Sequence, residues 1–300
     1  MKNRSHVDGI EVKKANVIYH DVEAEIFERV HPEGSSIYER SKVARAIAFI
    51  AGDSNIRDFC VDVGCGTGFV TSFELPMYDT VVATDVSRMM LKVVLKRYAH
   101  FSSLNLIVCD AEYLPLKSEI ADLVSVSSVL HHLPKPFNSI RETSRILKDG
   151  GFLYLTREPN SFKFSRFSIF LDRSILKRLL KLTRRPVFEP EFSQLNTNVE
   201  GLRARARSID RSTRVDIHSG FHVAQLAEFL RSRYFEIIFA YSYHWIFPDS
   251  SKGLLQQLLA KSNFVIEKIP LSERFGRYVS VLSRKNAPVD RSIANEFSAR

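Results

Sequence analysis

Short apolar runs alternate with amphipathic stretches between Phe59 and Glu158. The runs are FCVDV (59–63), TVVATD (80–85), LNLIVCD (104–110), ADLVSVSSV (121–129) and GFLYLTRE (151–158). Each is nearly continuous in apolar residues, the pattern of a strand covered on both faces. The intervening segments read as helices. One runs from Ser87, an N-cap residue, to His100, and another from Phe137 to Lys148, with Pro136 at its start and Gly150-Gly151 past its end. Strands alternating with helices predict a parallel, doubly wound α/β sheet. The rhythm breaks over 160–217 and then resumes. A helix is expected from Gly220 to Ser232, a strand at FEIIFAYSY (235–243), a helical stretch from Leu254 to Ala260 and a strand at YVSVLSRK (278–285). Residues 1–52 read as mainly helical, with a break at His31-Pro32-Glu33-Gly34.

This pattern divides the chain into an N-terminal helical cap (1–52), a core (53–158), a helical insertion acting as a lid (159–217), the remainder of the core (218–285) and a polar tail expected to fray (286–300). Of the 300 residues 45% are hydrophobic, including 22 Phe and 10 Tyr, which excludes disorder as the main state. Cys60, Cys65 and Cys109 show no CxxC spacing and read as reduced thiols, so neither a disulfide frame nor a metal site is expected. No run of about 18 apolar residues could span a membrane. The first residues are basic without an apolar stretch behind them, so a cytoplasmic location is expected.

The first core strand leads into VDVGCGTGF, with glycines at 64, 66 and 68. A strand, a glycine turn and a helix form a nucleotide-binding arrangement. The dinucleotide fingerprint would need a third glycine where Phe69 stands, and no phosphate-loop Lys-Ser/Thr follows. Asp85 ends the second strand, 21 residues after Gly64. An acid at that distance is placed to accept from both hydroxyls of a ribose. The third strand ends in Cys109-Asp110-Ala111-Glu112, where a carboxylate can accept from an adenine amino group. All three strand ends share the sheet edge at which open α/β folds bind ligands.

In order and spacing, VDVGCGTG, TDVS, CDAEYLPLKSEIADLV and VLHHL followed by GGFLYLTREPN resemble the class I S-adenosylmethionine-dependent methyltransferases. The resemblance covers Phe59 to Glu158 and is to the small-molecule branch that includes quinone-biosynthesis enzymes with a methyltransferase type 11 domain. It implies a Rossmann-like sheet of seven mostly parallel strands, the last antiparallel, with a helical cap and insertion. It also implies S-adenosylmethionine as cofactor and transfer of a methyl group to a small or amphipathic organic acceptor. By position, Asp62, Gly64, Cys65, Gly66 and Gly68 match the loop around the methionine part. Asp85 matches the ribose acid, with Val86 and Met89 near the adenine. Asp110 and Ala111 match the adenine-amino contact, and Ser127 and His132 the segment beside the sulfonium. Cys65 reads as a packing residue.

Methyl transfer from a sulfonium is an in-line displacement, so the protein chiefly aligns reactants and excludes water. A base is needed only where the acceptor must lose a proton. His131, His132 and Glu158 are the candidates. Tyr19, Tyr38 and Trp245 are candidates for the acceptor wall. SSVLHHLP replaces the Asn/Asp-Pro-Pro-aromatic segment of exocyclic-amine methylation, and no Pro-Cys nucleophile occurs. Both absences argue against the common DNA methyltransferases.

Net charge is +9 and unevenly distributed: residues 157–185 carry +7 and residues 203–214 carry +4, leaving −2 for the rest. Most apolar and basic positions of 162–182 fall on separate helical sides, with Arg178 intruding on the apolar arc and Ile169, Leu176 and Leu180 forming a second apolar edge. That is the pattern of a lid over an acceptor pocket, with contact to an anionic membrane surface as the alternative. The basic windows also motivate RNA as an alternative partner. A non-catalytic cofactor-binding regulatory module is the remaining alternative.

Overall fold

The computed structural model describes residues 9–31, 34, 36–53, 57–161, 220–244, 261–269 and 276–286. Nearly all of the basic insertion, Trp245, the Leu254–Ala260 helix and all but the first residue of the C-terminal tail lie outside the described residues. So does the 162–182 segment expected to act as lid or membrane contact.

Seven strands form one sheet: β1 (Phe59–Val63), β2 (Thr80–Asp85), β3 (Leu104–Val108), β4 (Ala121–Ser127), β5 (Leu147–Pro159), β6 (Phe235–Tyr243) and β7 (Tyr278–Lys285). Their order is β3-β2-β1-β4-β5-β7-β6. The first five are parallel, and β7 inserts between β5 and β6 antiparallel to both. The order reverses between β1 and β4, the switch point at which such sheets open a crevice beyond the strand carboxyl ends.

Alternation along the strands sends neighbouring residues to opposite faces. Val61, Val63, Val124, Val126, Leu153 and Leu155 pack on one face with Ile140 of α6 (Pro136–Ile146) and Leu226 and Leu230 of α7 (Val223–Arg231). Cys60, Val81, Leu123, Phe152, Tyr154 and Leu282 pack on the other with Val43, Ile47 and Ile50 of α3 (Ile37–Asp53). Each fully buried Leu or Ile contributes about 1.5–3 kcal/mol. Covering both faces explains the unbroken apolar runs of β1, β2 and β4. After the short α4 (Thr71–Glu74), helix α5 (Arg88–Tyr98) starts as expected at Ser87, whose hydroxyl accepts from the Met90 amide at 3.1 Å.

Two N-terminal helices, α1 (Gly9–Glu23) and α2 (Phe27–Val30), lie across the carboxyl ends of the strands rather than on a face. Polar contacts tie them down at several points. Lys13 reaches Asp110 and Glu112 at 2.6 and 2.8 Å, Asn16 Nδ2 donates to the His132 carbonyl at 3.0 Å, and Asp21 accepts from the Ser87 hydroxyl at 2.6 Å. Glu28 pairs with Arg97.

Candidate active site

Between α1–α2 and the strand ends lies a cavity of about 330 Å3. The three carboxylates that head it are Asp62, Asp85 and Asp110. Asp62 is the polar residue of an otherwise apolar β1. Its Oδ2 accepts from the Thr71 amide and hydroxyl at 3.0 and 2.6 Å, and its Oδ1 from Ser125 at 3.3 Å. Ser125 also donates to Glu74, a second buried acid, at 2.5 Å. Burial pushes the Asp62 carboxyl up to about 6 despite those hydrogen bonds, and pushes Glu74 well above the usual carboxylate range.

Asp85 is 8% exposed. Its two oxygens accept from the amides of Gly66 at 2.9 Å and Ser87 at 2.8 Å, and burial raises its carboxyl to about 6. Each carboxylate oxygen has two acceptor positions. With the Val86 amide also directed at this carboxylate, at least one position stays open on Asp85 for a ribose hydroxyl. Gly64 and Gly66 both have positive φ, +68° and +55°. A Cβ on Gly64 would strike Val129 at 2.3 Å, so only hydrogen fits between the loop and the strand-end turn after β4. Around Gly66 nothing lies within 4 Å of such a Cβ, which leaves the loop backbone open towards the cavity.

Cys65, Val86, Ala111 and Ser127 also line the cavity. Burial drives the Cys65 thiol far upward, which fits a packing residue and not a nucleophile. Three expected site residues do not line it. Gly68 lies against Tyr98 and Val94, and Met89 faces Asp21 through its amide, while Met90 forms the wall. Glu158 is wholly buried behind the wall. Its carboxylate accepts from the amides of Val129, Leu130 and His131 at 2.7, 2.9 and 3.2 Å and from His131 Nδ1 at 2.9 Å. Burial alone would raise this acid, but His131 and the amides hold it below the usual range. Glu158 thus fixes the turn after β4 and the ring of His131. A carboxylate can only accept, so Nδ1 of His131 carries the hydrogen and Nε2 is its basic nitrogen. His132 lies beside it, ring centroids 4.0 Å apart, and makes an edge contact with His20 of α1 at 5.1 Å.

Of the expected acceptor-wall residues, Tyr19 lines the cavity. Tyr38 does not. It is buried beside Tyr243 and His244 and donates to Glu267 at 2.8 Å. Lys13, Asn16, His20, Phe27, His31, Phe69, Arg157 and Tyr278 line the cavity without having been singled out from the sequence. Those on α1 left a trace: its buried stripe holds Asn16 and Glu23, polar residues at apolar positions. Both partners of Asn16 Nδ2 are carbonyls, of Val12 and His132, which fixes the amide orientation. Its Oδ1 is then a buried acceptor without a partner on a cavity-lining residue. Among the described residues no cluster of side chains could hold a metal ion, and no helix is long and apolar enough to cross a membrane.

Residues 61–155 match the family model described as a methyltransferase domain. Over 132 residues the chain is 27% identical to a malonyl-[acyl-carrier protein] O-methyltransferase of a Marinomonas species, covering 43% of this chain and 49% of that protein. Over 165 residues it is 26% identical to the demethylmenaquinone methyltransferase of Staphylococcus haemolyticus, covering 53% and 69%. The chain spans less than half the length of several of the curated relatives it matches. It shares its fold, at a TM-score of 0.54 and 13% identity, with a phosphoethanolamine N-methyltransferase of Haemonchus contortus solved with phosphoethanolamine and S-adenosylhomocysteine; the match covers 97% of this chain and 52% of that one. Over residues 61–155, which hold the first strands of this sheet and most of its carboxylate-headed crevice, the chain carries a methyltransferase domain.

Proposed function

We propose that this protein transfers a methyl group from S-adenosylmethionine to a small organic acceptor. The observation that carries this is the convergence of Asp62, Asp85 and Asp110, from the ends of three adjacent strands, on one cavity beside the open Gly64–Gly66 turn. The residues fit the cofactor. Asp85 has an acceptor position open for a ribose hydroxyl, Asp62 for an ammonium group, and Asn16 Oδ1 is a buried acceptor awaiting a donor. When bound, S-adenosylmethionine supplies an activated methyl group.

The chain's own residues then orient and enclose. Helices α1 and α2 cover the strand ends and exclude water. His131, its ring held by Glu158, presents Nε2 as the group to take a proton from an acceptor that must lose one. His132, whose ring centre is 4.0 Å from that of His131, and Tyr19 line the same cavity. Asp85→Ala should weaken S-adenosylhomocysteine binding by more than tenfold in calorimetry while the fold persists. Unchanged affinity would remove the cofactor from this crevice and the proposal with it.

A further inference from the structure

Asp62, the carboxylate offered to the cofactor's ammonium group, has a second acid behind it. Glu74 is fully buried and is not among the cavity-lining residues. The single turn of α4 presents Thr71 and Glu74, three residues apart, to one cross-strand pair of the sheet, Asp62 of β1 and Ser125 of β4. Thr71 fills both acceptor positions of Asp62 Oδ2 with its amide and its hydroxyl. Oδ1 is therefore the oxygen with room for a ligand, and the Ser125 hydroxyl lies 3.3 Å from it.

Ser125 cannot serve both acids at once. Its Oγ is 2.5 Å from Glu74 Oε1 as well as 3.3 Å from Asp62 Oδ1, and a hydroxyl carries one hydrogen. With both acids ionised, that hydrogen would go to the nearer Glu74, and Asp62 Oδ1 would face a lone pair. With a proton on Glu74 every contact is matched: Glu74 donates to Ser125, and Ser125 donates to Asp62. A separation of 2.5 Å is at the short end of the O–H···O range.

The surroundings of Glu74 favour the same state. Its second oxygen, Oε2, is buried with no hydrogen-bond partner, which costs a carboxylate far more than a neutral carbonyl. The titratable groups facing Glu74 are Asp62 and Cys60 of β1 and Tyr78 beyond α4, with Arg57 and Asp122 on the far side of Tyr78. Helix α3 packs on the same cluster through Val43, Ile47 and Ile50. None of the groups facing Glu74 itself is a cation. Burial first, and the charge of Asp62 second, push its carboxyl well above the usual range.

We infer that Glu74 is a positioning residue for the cofactor: it keeps a proton, donates it to Ser125, and so commits the Ser125 hydrogen to Asp62 and the charge of the acid pair to the oxygen that meets the ammonium group. The inference rests on the cofactor reading above and adds a residue that acts through two others. A buried chain of hydrogen bonds polarises along its length, so the donation from Glu74 strengthens the one that Asp62 receives.

The test compares Glu74→Gln, whose amide can still donate to Ser125, with Glu74→Leu, which cannot. Calorimetry on the full chain at pH 7.5 uses S-adenosylhomocysteine and 5′-methylthioadenosine, a nucleoside without the ammonium group. S-adenosylhomocysteine should bind Glu74→Gln within about twofold of wild type and Glu74→Leu at least fivefold more weakly. 5′-Methylthioadenosine should bind both variants within about twofold of wild type, which also shows that the crevice is intact. Difference infrared spectroscopy should find a carboxylic-acid carbonyl band in the ligand-free wild type that Glu74→Gln removes. Absence of that band, equal losses in the two variants, or no loss in either would overturn the inference and leave the cofactor reading standing. A wild type that binds neither ligand would instead overturn the cofactor reading, and this inference with it, whatever the infrared band shows.

Discussion

Asp85 and Glu158 are both buried carboxylates at strand ends on one rim of one sheet, yet burial has opposite outcomes for them. Asp85 receives the amides of Gly66 and Ser87, with Val86 as a weaker third, and burial with nearby Asp21 still raises its carboxyl to about 6. Glu158 receives three amides and an imidazole, and its carboxyl falls below the usual range. The difference lies in what each faces. Glu158 has all its acceptor positions met by protein and serves as an anchor. Asp85 is left short of donors beside a cavity, which is the condition of an acid waiting for a ligand. The β1–β3 side of the rim is poised, and the β4–β5 turn behind it is satisfied.

Removing each acid should expose that contrast most sharply. Glu158→Ala would leave three amides and His131 Nδ1 buried without their acceptor, at about 1–3 kcal/mol for each unsatisfied group. Even with relaxation, a loss of about 3–5 kcal/mol is expected. Urea denaturation measures it. A loss below about 1 kcal/mol would mean that Glu158 anchors nothing. Asp85→Ala should change stability far less, because it also removes a buried carboxylate that the fold holds at a disadvantage.

The glycine turn sharpens the comparison within one loop. A Cβ at Gly64 meets Val129 at 2.3 Å and the backbone is left-handed, so Gly64→Ala should cost about 2–4 kcal/mol. Gly66 has the same handedness in open space, and Gly66→Ala should cost about 1–2 kcal/mol. In S-adenosylhomocysteine binding the order should reverse per unit of stability lost, since the Gly66 methyl projects where the loop faces the ligand. Paired melting and calorimetry would show it, and equal stability losses would break the distinction.

Acid titration should distinguish the poised acid in solution. The folded Asp85 carboxyl is raised from 3.8 to about 6. Between those values the unfolded chain has already lost the proton that the folded chain keeps. The contribution of Asp85 to the ligand-free fold therefore declines as pH rises through this window. Ligand binding needs the ionised form and runs the other way. S-adenosylhomocysteine affinity should drop by about tenfold from pH 7.5 to pH 5 and flatten above pH 7. A pH-independent affinity would mean that Asp85 does not meet the ribose ionised.

Much of this was legible in the chain. Strands 59–63, 80–85, 235–243 and 278–285 coincide with the runs that predicted them, because strands covered on both faces are written as unbroken apolar sequence. The helix predicted to Lys148 stops at Ile146 instead, and β5 begins at Leu147, four residues before the run read as a strand. Apolar periodicity carries across both elements and does not mark the change of hydrogen-bond partner. Asp85 and Asp110 were legible because an acid closing an apolar run needs a reason, and Asp62 was legible only through the family resemblance. Met90 was missed for Met89 by one position, since the side chain that faces the crevice depends on where the Ser87 cap sets the first turn of α5. Arg157 could not be found from pattern alone: it sits where the register of β5 slips, and a bulge is a property of the pairing between β5 and β7, some 120 residues apart, and not of either strand. The roof residues on α1 were hidden for a similar reason, as nothing local says what a polar stripe will cover.

The smallest expected effect concerns that roof. Lys13 bridges Asp110 and Glu112 from a site that is 30% exposed, so its ion pairs should be worth less than about 1 kcal/mol. Lys13→Ala should leave the melting temperature nearly unchanged, because Asn16 and Asp21 still tie α1 to the rim. The consequence should be kinetic. The carboxylate at the β3 end is the only one of the three cavity acids clamped by the roof through a charged side chain, among the described residues. Releasing it loosens α1 at the β3 end of the rim and also leaves Asp110 unclamped by Lys13. These two effects oppose each other in affinity but act together on the rate of passage. S-adenosylhomocysteine should therefore associate and dissociate several-fold faster in stopped-flow measurements, with Kd within about threefold of wild type. Unaltered rates would place the route into the crevice elsewhere on the rim, and the poised acids would then be reached without moving α1.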